Sequence, residues 1–224
     1  MRKLLLFVSV VFLLVFFVAP KVFAQNSFEL GVCGGYNSSN ATFDPDPFAV
    51  PGTLKSSGSG FWVGGAAKLP ISDLIAITTE PRYIQYALKV QTTSFGQTTT
   101  FNTKLGYLEI PLFLEAGVGT DHVRFFAFTG PELGFRLSAK EDVDFPGQIT
   151  LSTDIKDQFK STSVGVAFGG GIEYQIGPGV AFVVDARYSH DLSNVSNVST
   201  GPTSNIAVKY YGVQVGGGLM FALR

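Results

Sequence analysis

The sequence predicts an all-β fold: an eight-stranded antiparallel transmembrane β-barrel with short periplasmic turns and long extracellular loops. Apolar and polar residues alternate in eight segments of the chain, and the connections between these segments are alternately short and long. Hydrophobic residues make up 46% of the chain, yet beyond the N-terminal segment no apolar stretch reaches the length of a membrane-spanning helix. We expect the strands near residues 27–37, 59–69, 74–90, 99–117, 122–138, 162–176, 179–190 and 206–222.

The alternation is clearest in residues 179–190. Phe182 and Val184 belong to one set of alternate positions, whereas Asp185 and Arg187 belong to the other. Successive side chains of a strand point to opposite faces, so this segment has one apolar face and one polar face. It therefore predicts a two-faced β-strand.

The connections indicate how the strands are arranged. Tight turns built from Gly, Pro, Asp and Ser are expected at residues 70–73, 119–121 and 177–178. The long polar connections between them are residues 38–58, 91–98, 139–161 and 191–205. All short turns then lie at one end of the sheet, which is typical of outer-membrane barrels.

The polar face is expected inside the barrel and the apolar face on lipid, although a soluble barrel would have the reverse orientation. Glycines are frequent on the polar face, the ionisable residues lie in mid-strand, and the apolar stripes are long enough to span a membrane. Charges enclosed in a narrow barrel must be paired or hydrated. The predicted interior charges are Glu29, Lys68, Glu80, Arg82, Glu109, Glu115, Arg124, Glu132, Arg136, Glu173, Asp185 and Arg187.

The first 24 residues predict a cleaved signal peptide, which leaves residues 25–224 as the barrel domain. Arg2 and Lys3 precede a 15-residue apolar run, which is too short to span a membrane as a helix. Without Arg2, Lys3 and Lys21, 13 of the 16 basic residues remain against 17 acidic ones, a net charge of −4. This acidic balance argues against nucleic acid as a partner.

A family resemblance rests mainly on residues 107–114, Tyr-Leu-Glu-Ile-Pro-Leu-Phe-Leu. This segment resembles the most recognisable strand of the PorT-like family of outer-membrane β-barrel proteins. The resemblance implies an integral outer-membrane protein, and some members are tied to a protein-secretion system. One departure is the C-terminus: such barrels commonly end on an aromatic residue, whereas here the last residue is Arg224 and the aromatic Phe221 lies three residues before it. Supporting similarity lies in residues 80–83, 130–134, 169–174 and 185–188.

The two histidines, His122 and His190, raise the possibility of two kinds of enzyme, a lipid hydrolase and a rim protease. A lipid hydrolase needs a nucleophile and a base within hydrogen-bond reach, but Ser189 and His190 are neighbours on a strand and face opposite ways. His122 lies beside Asp121 in a predicted turn, where a solvated side chain is expected. A rim protease using His190 and Asp191 lacks a second such pair.

Acidic residues cluster in the long loops and are candidate metal ligands, because hard cations favour oxygen. Their spacing matches no calcium loop, and solvated surface charge is the expected role. The sequence therefore predicts no catalytic, metal-binding or cofactor-binding residue and no cofactor. The loop acids are Asp44, Asp46, Glu141, Asp142 and Asp144.

These observations lead to the expectation of a non-enzymatic outer-membrane barrel. Its expected roles are envelope scaffolding, adhesion, or docking to secretion-system components through its loops, with outer-membrane lipids and other envelope or secretion-system proteins as partners. A narrow or gated channel is the first alternative, although eight strands leave an interior that side chains fill. A lipid-modifying enzyme is the second.

Overall fold

The computed structural model describes residues 28–145, 150–201 and 204–223. The predicted signal peptide lies outside the described residues. No helix in these ranges is long and apolar enough to cross a membrane. The elements are β1 (Phe28–Asp44), β2 (Thr53–Pro70), β3 (Ile75–Thr79), β4 (Arg82–Ser94), β5 (Gln97–Gly119), β6 (Val123–Asp144), β7 (Leu151–Asp154), a 3₁₀ turn (Lys156–Gln158), β8 (Thr162–Gly177), β9 (Val180–Asp191), β10 (Ser199–Gly201), β11 (Ser204–Asn205) and β12 (Ala207–Leu223).

The strands close into an eight-stranded antiparallel barrel, as predicted. The wall follows the order β1, β2, β3 with β4, β5, β6, β8, β9 and β12. The first and last strands complete the ring, pairing from Phe28 with Leu223 to Asp44 with Ala207. Every wall strand therefore has a partner on both sides, which removes the open edges that hydrocarbon would not tolerate.

The third wall strand is interrupted, although the alternation predicted one strand over residues 74–90. The break lies at Glu80 and Pro81, and β3 and β4 on its two sides both pair with β2 and β5. Proline has no backbone N–H to donate to a ladder, so it interrupts a central strand. Both Glu80 and Arg82 still face the barrel interior, where they contact Arg187 and Glu109 respectively.

The predicted extracellular loops are in large part strands. The connection expected over residues 38–58 shrinks to residues 45–52, because β1 runs to Asp44 and β2 begins at Thr53. These extensions carry polar residues on the outward face, so the apolar alternation that predicts strands is missing from them. The connections expected over 139–161 and 191–205 likewise contain the end of β6 with β7, and β10 with β11. The tip expected at 91–98 is a two-residue turn at Phe95 and Gly96, both at positive φ.

The outward face forms an apolar belt below these extensions. On β5 it runs from Leu108 to Val118, which are 39% and 65% exposed. Eleven tilted residues span roughly 25 Å, the height of the apolar band of an outer-membrane barrel. Phe182 and Val184 face outward on β9, whereas Asp185 and Arg187 are buried inside, as predicted. Outward aromatic residues toward the strand ends include Tyr174, Tyr188, Tyr211 and Phe221.

A β-bulge in β6 inverts the facing of the outer end of this strand. The pairing with β5 shifts between Arg136 and Ser138, so Leu137 is an extra residue without a partner. Arg136, a predicted interior charge, lies in register with the inward-facing Tyr107 just before the bulge; it is half-buried, and its Nε donates to the Lys160 carbonyl at 3.1 Å. Beyond Leu137 the facing of β6 is inverted, which turns Glu141 inward.

A second bulge, in β2, is bridged from inside the barrel. The pairing of β2 with β4 shifts between Ser57 and Trp62. Across this gap Ser39 Oγ of β1 donates to the Ala87 carbonyl at 2.8 Å and accepts from the Ala87 N–H at 2.7 Å. Asn37 Nδ2 donates to the Gln85 carbonyl at 2.8 Å. Side chains of β1 therefore replace the ladder bonds that β2 does not supply to β4.

Candidate functional site: the barrel interior and its outer mouth

The charged residues nearest the short turns form a compact group, here called the periplasmic cluster. Lys68 Nζ lies 2.6 Å from a carboxylate oxygen of Glu173, 3.4 Å from Glu115 and 3.8 Å from Glu29. Arg124 Nη1 also contacts Glu115 and lies 3.7 Å from Glu173. Two cations from β2 and β6 therefore hold three carboxylates from β1, β5 and β8 across the bore.

A second group, here called the central cluster, begins with Arg82, whose side chain is fully buried. Its Nη2 lies 2.9 Å from Glu109 Oε2 and 2.8 Å from Glu132 Oε1. Hydroxyl groups contact the other oxygen of each carboxylate: Tyr86 Oη donates a hydrogen bond to Glu109 Oε1 at 2.5 Å, and Ser189 Oγ contacts Glu132 Oε2. Both carboxylates in this part of the cluster are therefore paired and hydrogen-bonded, whereas Arg82 Nη1 has no hydrogen-bond partner among the described residues.

Arg187 completes the central cluster from the opposite wall. Its Nη1 lies 2.6 Å from Glu80 Oε2, and its Nη2 lies 2.7 Å from Asp185 Oδ1. The guanidinium carbon lies 5.1 Å from the Trp62 ring centre and 5.0 Å from that of Phe128. These distances permit cation–π attraction in addition to the ion pairs.

Trp62 fills the bore beside the two arginines. Its side chain is 1% exposed, and the guanidinium carbon of Arg82 lies 5.3 Å from its ring centre. The facing wall is glycine: a Cβ at Gly35 would lie 2.8 Å from the indole Nε1, and one at Gly216 would collide with the ring. Interior glycines therefore make room for the large side chains that close the barrel.

A layer of buried polar atoms lies in the bore around Trp62. Asn37 Oδ1, Trp62 Nε1, Tyr107 Oη and both amide atoms of Gln214 have no hydrogen-bond partner within the described part of the chain. Buried polar groups are nearly always paired, with protein or with water. This layer therefore has the chemistry to hold ordered water.

Eleven of the twelve predicted interior charges lie in the two clusters, and Arg136 alone does not. The sequence correctly placed charge inside and apolar residues outside, but it did not single out Trp62 as the residue that fills the bore. A signal existed, because Trp62 is the only tryptophan and shares the inward face of β2 with Lys68. Seven carboxylates face four cations here, so hydroxyl donors are needed to stabilise the excess negative charge.

The outer mouth contains a cavity of about 290 Å³. Its floor and walls are strand residues of β1, β4, β5 and β12, and it is covered by the segments around Phe48 and Phe159. Phe43 and Phe101 contribute two more rings, and Phe43 packs edge-on against Phe48 with ring centres 5.0 Å apart. Among the described residues, Glu141 is the only carboxylate that lines this cavity. The sequence does not reveal this cavity, because its four rings come from one predicted strand (residues 99–117) and two predicted connections (38–58 and 139–161) that are far apart in the chain.

Ion pairs at the rim hold the segments around this mouth. Lys55 Nζ contacts Asp46 Oδ2, and Asp46 Oδ1 accepts from the Phe48 N–H at 2.9 Å. The hydrogen bond from Lys55, helped by that of the Phe48 amide, lowers the pKa of Asp46 below its usual value. Hydrogen bonds from Ser152 and Lys104 likewise lower the pKa of Asp142.

The residues considered for catalysis do not converge. Ser189 is buried inside the barrel against Glu132, whereas the His190 ring faces outward and packs near Tyr188 and Tyr211. Asp191 Oδ2 accepts from the Tyr210 N–H at 3.3 Å. His122 and Asp121 are exposed in the β5–β6 turn.

The acidic pairs of the loops also separate in space. Asp46 binds Lys55, Asp142 binds Lys104, and Asp144 accepts hydrogen bonds from Asn102 and Thr150. Asp44 is exposed at the end of β1, and Glu141 turns into the mouth. Across residues 28–145, 150–201 and 204–223, no group of three or more His, Cys, Asp or Glu side chains has a metal-binding arrangement.

Comparison with known proteins identifies the family. No curated protein matches the chain. Among solved structures, Ail of Yersinia pestis is 16% identical, with a TM-score of 0.43 and coverage of 87% of this chain and 99% of its own. OprG of Pseudomonas aeruginosa is 14% identical, with a TM-score of 0.46 and coverage of 88% and 98%. Likenesses this distant carry no argument about function.

The family itself is shown by sequence. Residues 23–197 match the family described as "Outer membrane protein beta-barrel domain". This match covers most of the chain and agrees with the closed wall and apolar belt described above. The narrower resemblance to PorT-like barrels stays a prediction. The chain therefore belongs to the outer membrane protein beta-barrel domain family and is an integral protein of the outer membrane.

Proposed function

We propose that this protein is a non-enzymatic, closed barrel that acts through its outer mouth and extracellular strands as an adhesion or docking surface. One observation carries the proposal: the bore is filled by the two charged clusters and by Trp62, which is 1% exposed. An eight-stranded barrel is just wide enough for side chains to fill. The interior then serves stability, and the surfaces left for binding are those outside the membrane.

The extracellular surface suits this role because it is built from paired strands. The β4–β5 hairpin ends at Phe95, which is fully exposed, and β1, β2 and β6 also extend past the belt. A surface held by ladder bonds loses less conformational entropy on binding than a flexible loop does. Docking to secretion-system components is the more specific form of the proposal, and it depends on the PorT-like resemblance.

Conductance measurements test the closed barrel. We expect purified protein in planar lipid bilayers to give no stable current steps, because four interior cations and seven carboxylates are held in contact across the bore. An open porin measured in the same bilayers shows that the assay detects conduction. Large, stable steps from the folded protein would overturn the proposal.

Site-specific cross-linking tests the extracellular surface. A photoreactive amino acid at Phe95 should cross-link to protein in intact cells, whereas the same group at Leu112, in the middle of the belt, should reach only lipid. Protein adducts of equal yield at both positions, or at neither, would contradict the assignment of binding to the extracellular strands.

A narrow channel is the second candidate, and the unpaired polar atoms of Asn37, Trp62, Tyr107 and Gln214 favour it. Such a layer could hold a file of water molecules in the bore around Trp62. Small current steps that disappear when Gln214 is replaced by Leu would support this candidate. The absence of current steps from the wild-type protein would support the closed barrel instead.

A further inference from the structure

The cavity at the outer mouth combines an apolar lining with one carboxylate. Four phenylalanine rings surround it: Phe43, Phe48, Phe101 and Phe159. Small-molecule sites are typically concave and mostly apolar, with few polar groups that orient the ligand. A volume of about 290 Å³ equals about ten water molecules, so the ligand has on the order of ten non-hydrogen atoms.

Glu141 is the charged group of this cavity. Its Oε1 accepts a long hydrogen bond from Thr103 Oγ1 at 3.5 Å, and no Lys, Arg or His of the described residues forms an ion pair with it. The neighbouring Asp142, in contrast, lies 3.2 Å from Lys104 Nζ on the outward face. Among the described residues, the cavity therefore presents a carboxylate without an ion-pair partner; Lys55 Nζ lies 5.4 Å from the Phe43 ring centre but pairs with Asp46.

The position of Glu141 follows from the bulge in β6. Without the extra residue Leu137, the alternation set by Glu132 and Gly134 would turn Asp142 inward and Glu141 outward. Bulges commonly redirect a side chain next to a functional site. Here the bulge sets an uncompensated carboxylate beside aromatic rings, where an organic cation would find both an ion pair and cation–π contacts.

We propose that the outer mouth binds a small organic cation, an amine carrying an aromatic or branched aliphatic body, with its ammonium group on Glu141 and its apolar body among the phenylalanine rings. The inference deepens the proposed function, because it takes the outer mouth as a binding surface. Arylalkylamines of tryptamine size fit the volume and the charge.

Three matched probes test the proposal on the full barrel in lipid nanodiscs. Tryptamine carries the cation, 3-ethylindole is its neutral counterpart, and indole-3-propionate carries an anion. Binding is measured by saturation-transfer NMR and calorimetry, with empty nanodiscs subtracted. We expect saturable binding of tryptamine, at least tenfold tighter than that of 3-ethylindole, and no binding of the anion.

Two isosteric variants distinguish binding in the cavity from attraction to the general surface charge. Glu141→Gln should weaken tryptamine binding about tenfold and remove its advantage over 3-ethylindole, because the ion pair is lost. Asp142→Asn on the same strand should leave both affinities unchanged. The proposal is overturned if the folded wild-type protein binds no probe saturably, if the three probes bind alike, or if both variants have the same effect.

Failure of this proposal is distinguishable from failure of the closed barrel. Conductance is recorded on the same preparation used for binding. A silent protein without charge-selective binding would overturn the amine site alone, whereas a conducting protein that binds tryptamine through Glu141 would overturn only the closed barrel.

Discussion

Replacing Arg187 with Leu should destabilise the barrel strongly. The guanidinium makes three hydrogen bonds to Glu80 and Asp185, and its side chain is 1% exposed. Removing one partner of a buried ion pair costs about 3–5 kcal/mol, because the other charge is left uncompensated. Neutralising one carboxylic acid with an ordinary pKa of about 4 costs about 4 kcal/mol at pH 7, which gives the same magnitude.

Urea unfolding in detergent micelles measures this loss, with the fluorescence of Trp62 as the signal. Arg136→Leu is the matched control: Arg136 is half-buried and donates to a single carbonyl, so a loss of about 1 kcal/mol or less is expected. Adding Glu80→Gln and Asp185→Asn to Arg187→Leu should recover much of the loss. An unfolding midpoint unchanged by Arg187→Leu, or lowered as much by Arg136→Leu, would refute this account of the interior.

Two further predictions concern the rim and the bore. The lowered pKa of Asp46 means that the folded rim favours the charged carboxylate. The stabilisation that Asp46 provides is therefore present above the ordinary pKa of an Asp and is lost as the pH falls through the lowered value. The NMR shift of the Phe48 amide should titrate with a midpoint below about 4 and should not titrate in Asp46→Asn. Gly216→Val should displace the Trp62 ring and lower the unfolding midpoint, whereas Gly65→Ala, whose nearest neighbour would lie 3.7 Å from the new Cβ, should not; equal midpoints for the two glycine variants would contradict the packing described.

The alternation of residues was sufficient to predict the barrel and its orientation. In β9 it separated Phe182 and Val184 from Asp185 and Arg187, because burial in a strand depends only on the parity of position. It failed where that parity changes. Leu137 resembles any other outward residue, so the bulge that turns Glu141 inward cannot be read from the pattern.

The cavity at the outer mouth could not be predicted from the sequence, for a different reason. Phe43 and Phe159 are more than 100 residues apart, and they meet only because β1, β5 and β12 continue past the apolar belt. The outward faces of those continuations are polar, so no alternation of apolar and polar residues identifies them as strands. The ion pairs of the interior could be anticipated as a set, because enclosed charges need partners, but which residue pairs with which depends on the register.

The β4–β5 hairpin continues about 12 residues past Tyr83 before it turns at Phe95, a distance of roughly 40 Å along the strand. Its tip is held by its own ladder and touches none of the charged clusters. Substitutions at the tip can therefore alter what the cell surface displays without affecting insertion or assembly of the barrel. This part of the chain is free to diversify under selection from outside, while the enclosed charges constrain the remainder.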